Sequence, residues 1–98
     1  MIKISGTIKK IFPTEKLSGG FEKRLFWLKD NDELYPNVFQ LELWKQDVTM
    51  IDGYNEGDEL ICYIDLKGKH WQRDGREGVM NSLKCWNFEK DGKIHKKI

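Results

Sequence analysis

The chain has 98 residues, of which 34% are charged and 39% hydrophobic, and its formal net charge is +1. A chain of this length folds as one domain that buries about two-thirds of its unfolded surface without metals or disulfides as staples. No apolar run approaches the ~20 residues that span a bilayer, so no transmembrane segment is predicted, and the near-neutral charge taken alone argues against a nucleic-acid-binding protein.

Composition and alternation predict a mainly β chain. Alanine is absent, whereas β-branched and aromatic residues are plentiful, and this balance favours strands over helices. The first strand is predicted over Ile2–Phe12 and ends at Pro13. Gly6 within it and a break in alternation at Lys9-Lys10 indicate a strongly bent strand, as in a small barrel.

The next two strands, Phe21–Lys29 and Asn37–Lys45, are predicted to form a hairpin across the turn signal Asp30-Asn31-Asp32. The clean alternation of the second strand directs its leucines inward and leaves two tryptophans on the outer face. The predicted cross-strand pairs are Trp44 with Lys23 or Phe21, and Trp27 with Val38 or Gln40. Either indole is a candidate stacking platform; the alternative is that one of them packs under a loop, a terminus or a partner subunit.

A short helix of one or two turns is predicted over Gln46–Gly53, with Asp47 as its N-cap. The strand that organises the chain follows it. Every second residue from Leu60 to Leu66 is apolar, and these residues alternate with the mixed set Ile61, Tyr63, Asp65 and Lys67, which is the two-residue period of a strand with one face buried. Gly57-Asp58 marks the start of this strand, and Gly68 is predicted to bend or bulge its end.

After Gly68 the composition of the chain changes. Over Lys69–Gly78 cations and an aromatic ring stand side by side in a predicted loop, whose turn is Arg73–Arg76. A last strand is predicted over Val79–Lys90, with a shift of parity near Lys84. The pairing of cations with Trp71 is the main functional indication, because phosphates attract positive charge and bases stack on aromatic rings.

Residues 1–90 are therefore predicted to form a single domain, and residues 91–98 a basic, flexible C-terminal tail. Three strands, a short helix and two more strands, with glycine-marked bends, are typical of one fold. We predict an all-β fold with one short helix, the five-stranded Greek-key barrel called the OB-fold.

Charge is segregated along the chain. Residues 1–29 carry seven cations and two carboxylates, a balance of +5; residues 30–65 carry one cation and ten carboxylates, −9; and residues 66–98 carry nine cations and four carboxylates, +5. This predicts a basic and an acidic face on a neutral molecule, and phosphates respond to the local field. The alternative is that folding interleaves the blocks and cancels them.

Both cysteines, Cys62 and Cys85, lie in apolar alternating segments, and no charged-then-apolar signal segment precedes them. We expect both to be buried, free thiols in a protein of the reducing cytoplasm. A disulfide between them is the minor alternative.

Several short motifs stand out: GFEKR at Gly20–Arg24, Tyr35-Pro36, YxxGD at Tyr54–Asp58, LKGKHW at Leu66–Trp71, and Asn81-Ser82 followed by Trp86. Over about residues 4–90 they resemble a family of small bacterial and phage proteins, a domain of unknown function described as similar to single-stranded DNA-binding proteins. The resemblance implies an OB-fold and affinity for single-stranded DNA, and it brings no catalytic residues. We also expect a homo-oligomer, a dimer or tetramer, that acts in DNA replication.

OB-folds usually bind on the face of strands two and three, bounded by the loops after strands one and four. Aromatic rings there would stack bases and cations would track phosphates, so binding is expected to tolerate any sequence and to weaken with salt. The candidate residues are Lys23, Trp27, Lys29, Trp44, Lys67, Lys69, His70, Trp71, Arg73 and Arg76. Glu42 shares the predicted face and would repel phosphate.

No enzymatic function, metal site or cofactor is predicted. Neither cysteine belongs to a CxxC pair that would join His70 and His95 as zinc ligands, and the chain has no phosphate-cradling glycine motif or nucleophile elbow. Two alternatives to DNA binding stay open. One is a protein-interaction module, a replication or recombination accessory or an oligomeric scaffold, with the tryptophans as anchors. The other is single-stranded RNA binding, because nothing identifies a reader of the 2′-hydroxyl.

Overall fold

The computed structural model describes residues 2–90; the predicted tail, 91–98, lies outside the described residues. The elements are β1 (Ile2–Ile11), β2 (Glu15–Lys16), β3 (Glu22–Asp30), β4 (Val38–Trp44), β5 (Glu59–Arg73) and β6 (Arg76–Lys90), with 3-10 helices at Ser18–Gly20 and Lys45–Thr49. Neither helix of this part of the chain is long and apolar enough to cross a membrane.

The five long strands close into a ring. They follow one another in the order β1-β5-β6-β4-β3, and β1 also pairs with β3. The predicted bend in β1 makes this closure possible, because the register against β3 shifts between Ile8 and Lys10. At Gly6 the strands approach so closely that a Cβ would collide with the carbonyl oxygen of Lys29.

The interior is filled by the residues that alternation assigned to it. Phe26 and Leu28 of β3 and Leu41 and Leu43 of β4 are fully buried. The register between these strands pairs Lys23 with Trp44 and Trp27 with Gln40, which confirms the predicted hairpin. Cys62 and Cys85 are also buried in this core as free thiols.

The helix after β4 lies at one end of the barrel and places Val48 in the core. The predicted N-cap is wrong. The helix begins earlier than its pattern indicated, so Trp44 is the N-cap and Asp47 lies in the first turn. The chain turns sharply at Lys45, whose φ is 57°, and this turn starts the helix directly at the end of β4.

The turn predicted at Arg73–Arg76 is confirmed, but the loop predicted around it over Lys69–Gly78 is wrong. Here β5 and β6 pair without interruption out to Arg73 opposite Arg76, and the two-residue turn Asp74-Gly75 joins them. Both turn residues have positive φ, 50° and 77°, as in the type I′ turn whose twist matches that of a hairpin. The predicted loop is thus the outer part of a long, regular hairpin.

The predicted irregularity at Gly68 is also wrong, since Gly68 pairs regularly with Asn81. The register instead shifts beside Tyr63: this residue pairs with Asn87, whereas the next residue of β5 pairs with Cys85. Trp86 is therefore the extra residue of a bulge in β6. The bulge lies two residues from the parity shift predicted near Lys84.

Candidate nucleic-acid interface

The outer faces of β3, β4, β5 and β6 meet in a groove. Its barrel end is a surface cavity of about 460 Å³, whose lining includes Lys23, Glu42, Trp44, Lys67, Lys69 and Met80. A second cavity of about 400 Å³ continues along the hairpin and shares Lys69 and Met80 with the first, adding Trp71, Gln72 and Arg73. We call these the barrel cavity and the hairpin cavity. Together they join residues from the first and third blocks of the sequence, both of which are basic, with Glu42 and Trp44 from the acidic second block.

Trp44 is the aromatic centre of the barrel cavity. The Phe21 ring meets it edge-on, with the ring centroids 5.6 Å apart and the planes at 73°. The ammonium of Lys84 lies 5.1 Å from the Trp44 ring centroid, within the range of a cation–π contact. The indole is half-buried, with Phe21 from the segment before β3 and Lys84 from β6 against its ring.

Glu42 has a role that its charge alone did not suggest. The Trp44 Nε1–H donates a hydrogen bond of 2.8 Å to Glu42 Oε1. This bond fixes the orientation of the indole, because a half-buried ring with its only polar group satisfied has little freedom to rotate. The predicted repulsion of phosphate is thus accompanied by a structural role for the same carboxylate.

The hairpin cavity holds the second exposed aromatic ring, Trp71, which is 40% exposed. Lys67, Lys69, Trp71 and Arg73 alternate along β5, so all four share one face of the hairpin. Met80, which pairs with Lys69 across the hairpin, contributes apolar surface between the two cavities.

His70 and Arg76 lie outside both cavities. His70 alternates with Lys69 and Trp71 and therefore faces the opposite side of the hairpin, where its Nε2 lies 2.7 Å from Glu77 Oε1. Arg76 lies at the tip, paired with Arg73 and beside the turn. Of the residues predicted in the supposed loop, the structure therefore brings only some to the groove.

Two further candidates, Trp27 and Lys29, lie apart from the groove. Trp27 is on the same outer face as Lys23 but four residues further along β3, roughly 13 Å away at the rise of a strand. The Phe12 ring packs against Trp27 at 5.0 Å between centroids, and the indole N–H donates to Gln40 Oε1 at 3.1 Å.

Lys29 lines a different cavity, of about 470 Å³, at the end of β3. Three carboxylates share it: Asp30, Asp32 and Glu33. The backbone N–H of Asn37 and its side-chain amide donate to Asp30 at 2.9 and 2.8 Å, and these bonds hold the pKa of the Asp30 carboxyl below its usual value. Phosphate would meet net negative charge here.

Several side chains of the groove were not predicted as site residues, among them Phe21 and Met80, which line it, and Lys84, whose ammonium lies over the Trp44 ring. The Asp74-Gly75 dipeptide was the available signal for Met80, since a two-residue hairpin turn fixes every cross-strand pair. No local signal exists for Lys84, which reaches the groove through the short parallel pairing of β6 with β4. Within residues 2–90, no three His, Cys, Asp or Glu side chains come together as a metal site.

The closed ring of five strands, with its groove on the outer face, defines a protein of the OB-fold class. Three solved structures share it, all single-stranded DNA-binding proteins. The mitochondrial protein of S. cerevisiae has a TM-score of 0.70 at 15% identity, covering 91% of this chain and 91% of that one. The small protein of Streptomyces coelicolor has a TM-score of 0.61 at 17% identity, covering 95% of this chain and 94% of that one. The protein of Thermus aquaticus has a TM-score of 0.69 at 16% identity, covering 90% of this chain and 48% of that one.

Within this class, the sequence profile of one family matches residues 3–89: "Domain of unknown function (DUF3127)". The chain belongs to that family, as the motifs indicated. Among curated protein sequences, none matches this chain significantly.

Proposed function

We propose that this protein binds single-stranded DNA without catalysing a reaction, largely independently of sequence. One observation carries the proposal: the groove brings two aromatic platforms, Trp44 and Trp71, onto one face with five cations. These are Lys23, Lys67, Lys69, Arg73 and Lys84. Aromatic rings stack any base and cations track any phosphate backbone, so this chemistry suits a single strand of arbitrary sequence.

The similarity to single-stranded DNA-binding proteins supports the proposal at the level of the fold. A fold does not by itself imply a function, so the weight rests on the groove. Its apolar surface, from Phe21, Trp44 and Met80, is flanked by several ammonium groups and by a single carboxylate, Glu42, whose Oε1 accepts the indole N–H of Trp44. This composition fits an unpaired strand, whose bases and phosphates are both exposed.

The test is a titration of intrinsic tryptophan fluorescence with oligo-dT at low and at high salt. We expect quenching that weakens as salt rises. Trp44→Ala should weaken binding by about 5- to 150-fold, which corresponds to one lost stacking contact of about 1–3 kcal/mol. Trp27→Ala is the matched control, because Trp27 lies outside both cavities, and it should change the affinity less than twofold.

Circular dichroism of each variant checks that it folds. If wild-type protein shows no quenching with oligo-dT, or if Trp27→Ala weakens binding as much as Trp44→Ala, the proposed groove is wrong. Parallel titrations with oligo-rU and with duplex DNA distinguish a preference for RNA or for double strands.

A second candidate function, protein–protein interaction, is favoured by exposed apolar side chains away from the groove. Leu34 and Tyr35 in the β3–β4 loop are 80% and 78% exposed, and large apolar side chains displayed in this way are typical of interfaces. Light scattering tests it directly. A stable oligomer together with absence of oligo-dT binding would favour this function over DNA binding.

A further inference from the structure

The hairpin contains one contact between a ring and a strand that only glycine permits. Trp71 of β5 pairs directly with Gly78 of β6. A Cβ placed on Gly78 would lie 2.9 Å from Trp71 Cζ2 and 3.0 Å from both Cε2 and Nε1. The indole thus occupies the space in which any other residue at this position would carry its side chain.

Glycine at this position needs an explanation, because glycine within a strand weakens it. Its backbone conformation is not the explanation: Gly78 does not have the positive φ found at Gly75 in the turn. Close approach of the Trp71 ring is the remaining reason. The ring rests against the hairpin on this side, while Trp71 stays 40% exposed toward the hairpin cavity.

We propose that Gly78 is a positioning residue of the nucleic-acid site. Because Gly78 has no side chain, the Trp71 indole can lie against the hairpin. In this orientation an unpaired nucleobase can stack on the outer side of the ring. Lys69 and Arg73 flank the ring in the same cavity, where they reach the phosphates on either side of that base. This inference rests on the proposed function and assigns a base-stacking subsite to the hairpin, separate from the one at Trp44.

The positioning has a direct consequence. With a Cβ on residue 78 the indole must shift, since real Cβ atoms essentially never lie closer than 3.0 Å to such an atom, and we expect the displaced ring to lose its stacking position although Trp71 is still present. Gly78→Ala should therefore weaken oligo-dT binding by about the same factor as Trp71→Ala, about 5- to 150-fold for one stacked base. Because both variants remove the same contact, the double variant should bind no more weakly than Trp71→Ala alone.

The chain offers a matched control outside the groove. Gly53→Ala makes the same chemical change, but its Cβ would meet no other atom within 4 Å, and Gly53 lines neither cavity. Gly53→Ala should bind oligo-dT like the wild-type protein. If Gly78→Ala also binds like the wild type, or if it weakens binding further in the Trp71→Ala background, Gly78 does not act through Trp71 and the inference is overturned.

A second measurement needs no ligand. In the wild-type protein the Trp71 indole N–H should give a distinct ¹H–¹⁵N resonance that Gly78→Ala shifts and Gly53→Ala leaves in place. An unmoved resonance in Gly78→Ala contradicts the contact itself. If wild-type protein fails to bind oligo-dT, the proposed function has failed. The resonance then still decides whether Gly78 positions the ring.

Discussion

The salt dependence of binding gives the sharpest quantitative test of the groove. Five cations face it: Lys23, Lys67, Lys69, Arg73 and Lys84. Each phosphate contact on a single strand contributes about −0.7 to the slope of log K against log salt concentration. If all five contact phosphates, the slope is about −3.5, and the affinity falls about 100-fold between 50 and 200 mM salt.

Removing one cation should change the slope by a predictable amount. Lys69 lines both cavities, so Lys69→Gln should reduce the slope to about −2.8. Lys29→Gln is the control of equal charge change, because Lys29 lies among carboxylates in the cavity at the end of β3. It should leave the slope unchanged.

Fluorescence titrations with oligo-dT at four or more salt concentrations measure both slopes. A wild-type slope shallower than about −1 would mean that at most one phosphate is contacted. This would contradict binding of a strand along the cations of the groove. An equal loss of slope in Lys29→Gln and Lys69→Gln would refute the argument that position in the groove, rather than net charge, determines binding.

Three predictions concern the fold and its ionisable groups. Gly6→Ala should destabilise the protein by about 1–3 kcal/mol in urea unfolding, because its Cβ would collide with the backbone of β3. Gly53→Ala is the control, since a Cβ at Gly53 would enter open space. Equal losses of stability in the two variants would contradict the close approach at Gly6. Asn37→Ala removes one of the bonds that lower the pKa of Asp30, so that pKa should rise in a carboxyl NMR titration, whereas Asn31→Ala should not move it. A lowered pKa contributes stability that is lost as pH falls from the unfolded-state pKa through the folded-state pKa, so the smaller shift in Asn37→Ala should leave less stability to be lost through Asp30 on acidification. The neighbouring Cys85 thiol and burial raise the pKa of Cys62, so the native protein should not react with a thiol reagent at pH 8 until it is unfolded; rapid labelling of the native protein would contradict the buried position.

Local patterning predicted more of the fold than of the site. The two-residue period of strands assigned Phe26, Leu28, Leu41 and Leu43 to the core, because one face of each strand must be buried whatever the strand pairs with. The hairpin register followed from that same constraint. The outer hairpin was missed for a different reason: the turn at Arg73–Arg76 was predicted, but the residues on either side of it were assigned to a loop rather than to paired strands.

The composition of the groove was decided by the tertiary structure. Lys84 and Trp44 are 40 positions apart in the sequence and meet because β6 runs parallel to β4 for two residue pairs. Alternation states which face a residue occupies but not which strand lies beside it, because strand order is fixed by the closure of the whole ring. The sequence by itself therefore determined strands, faces and aromatic and cationic candidates. Only the closed barrel decided that Lys84 lies over the Trp44 ring and that Lys67 and Lys69 share a cavity with Lys23.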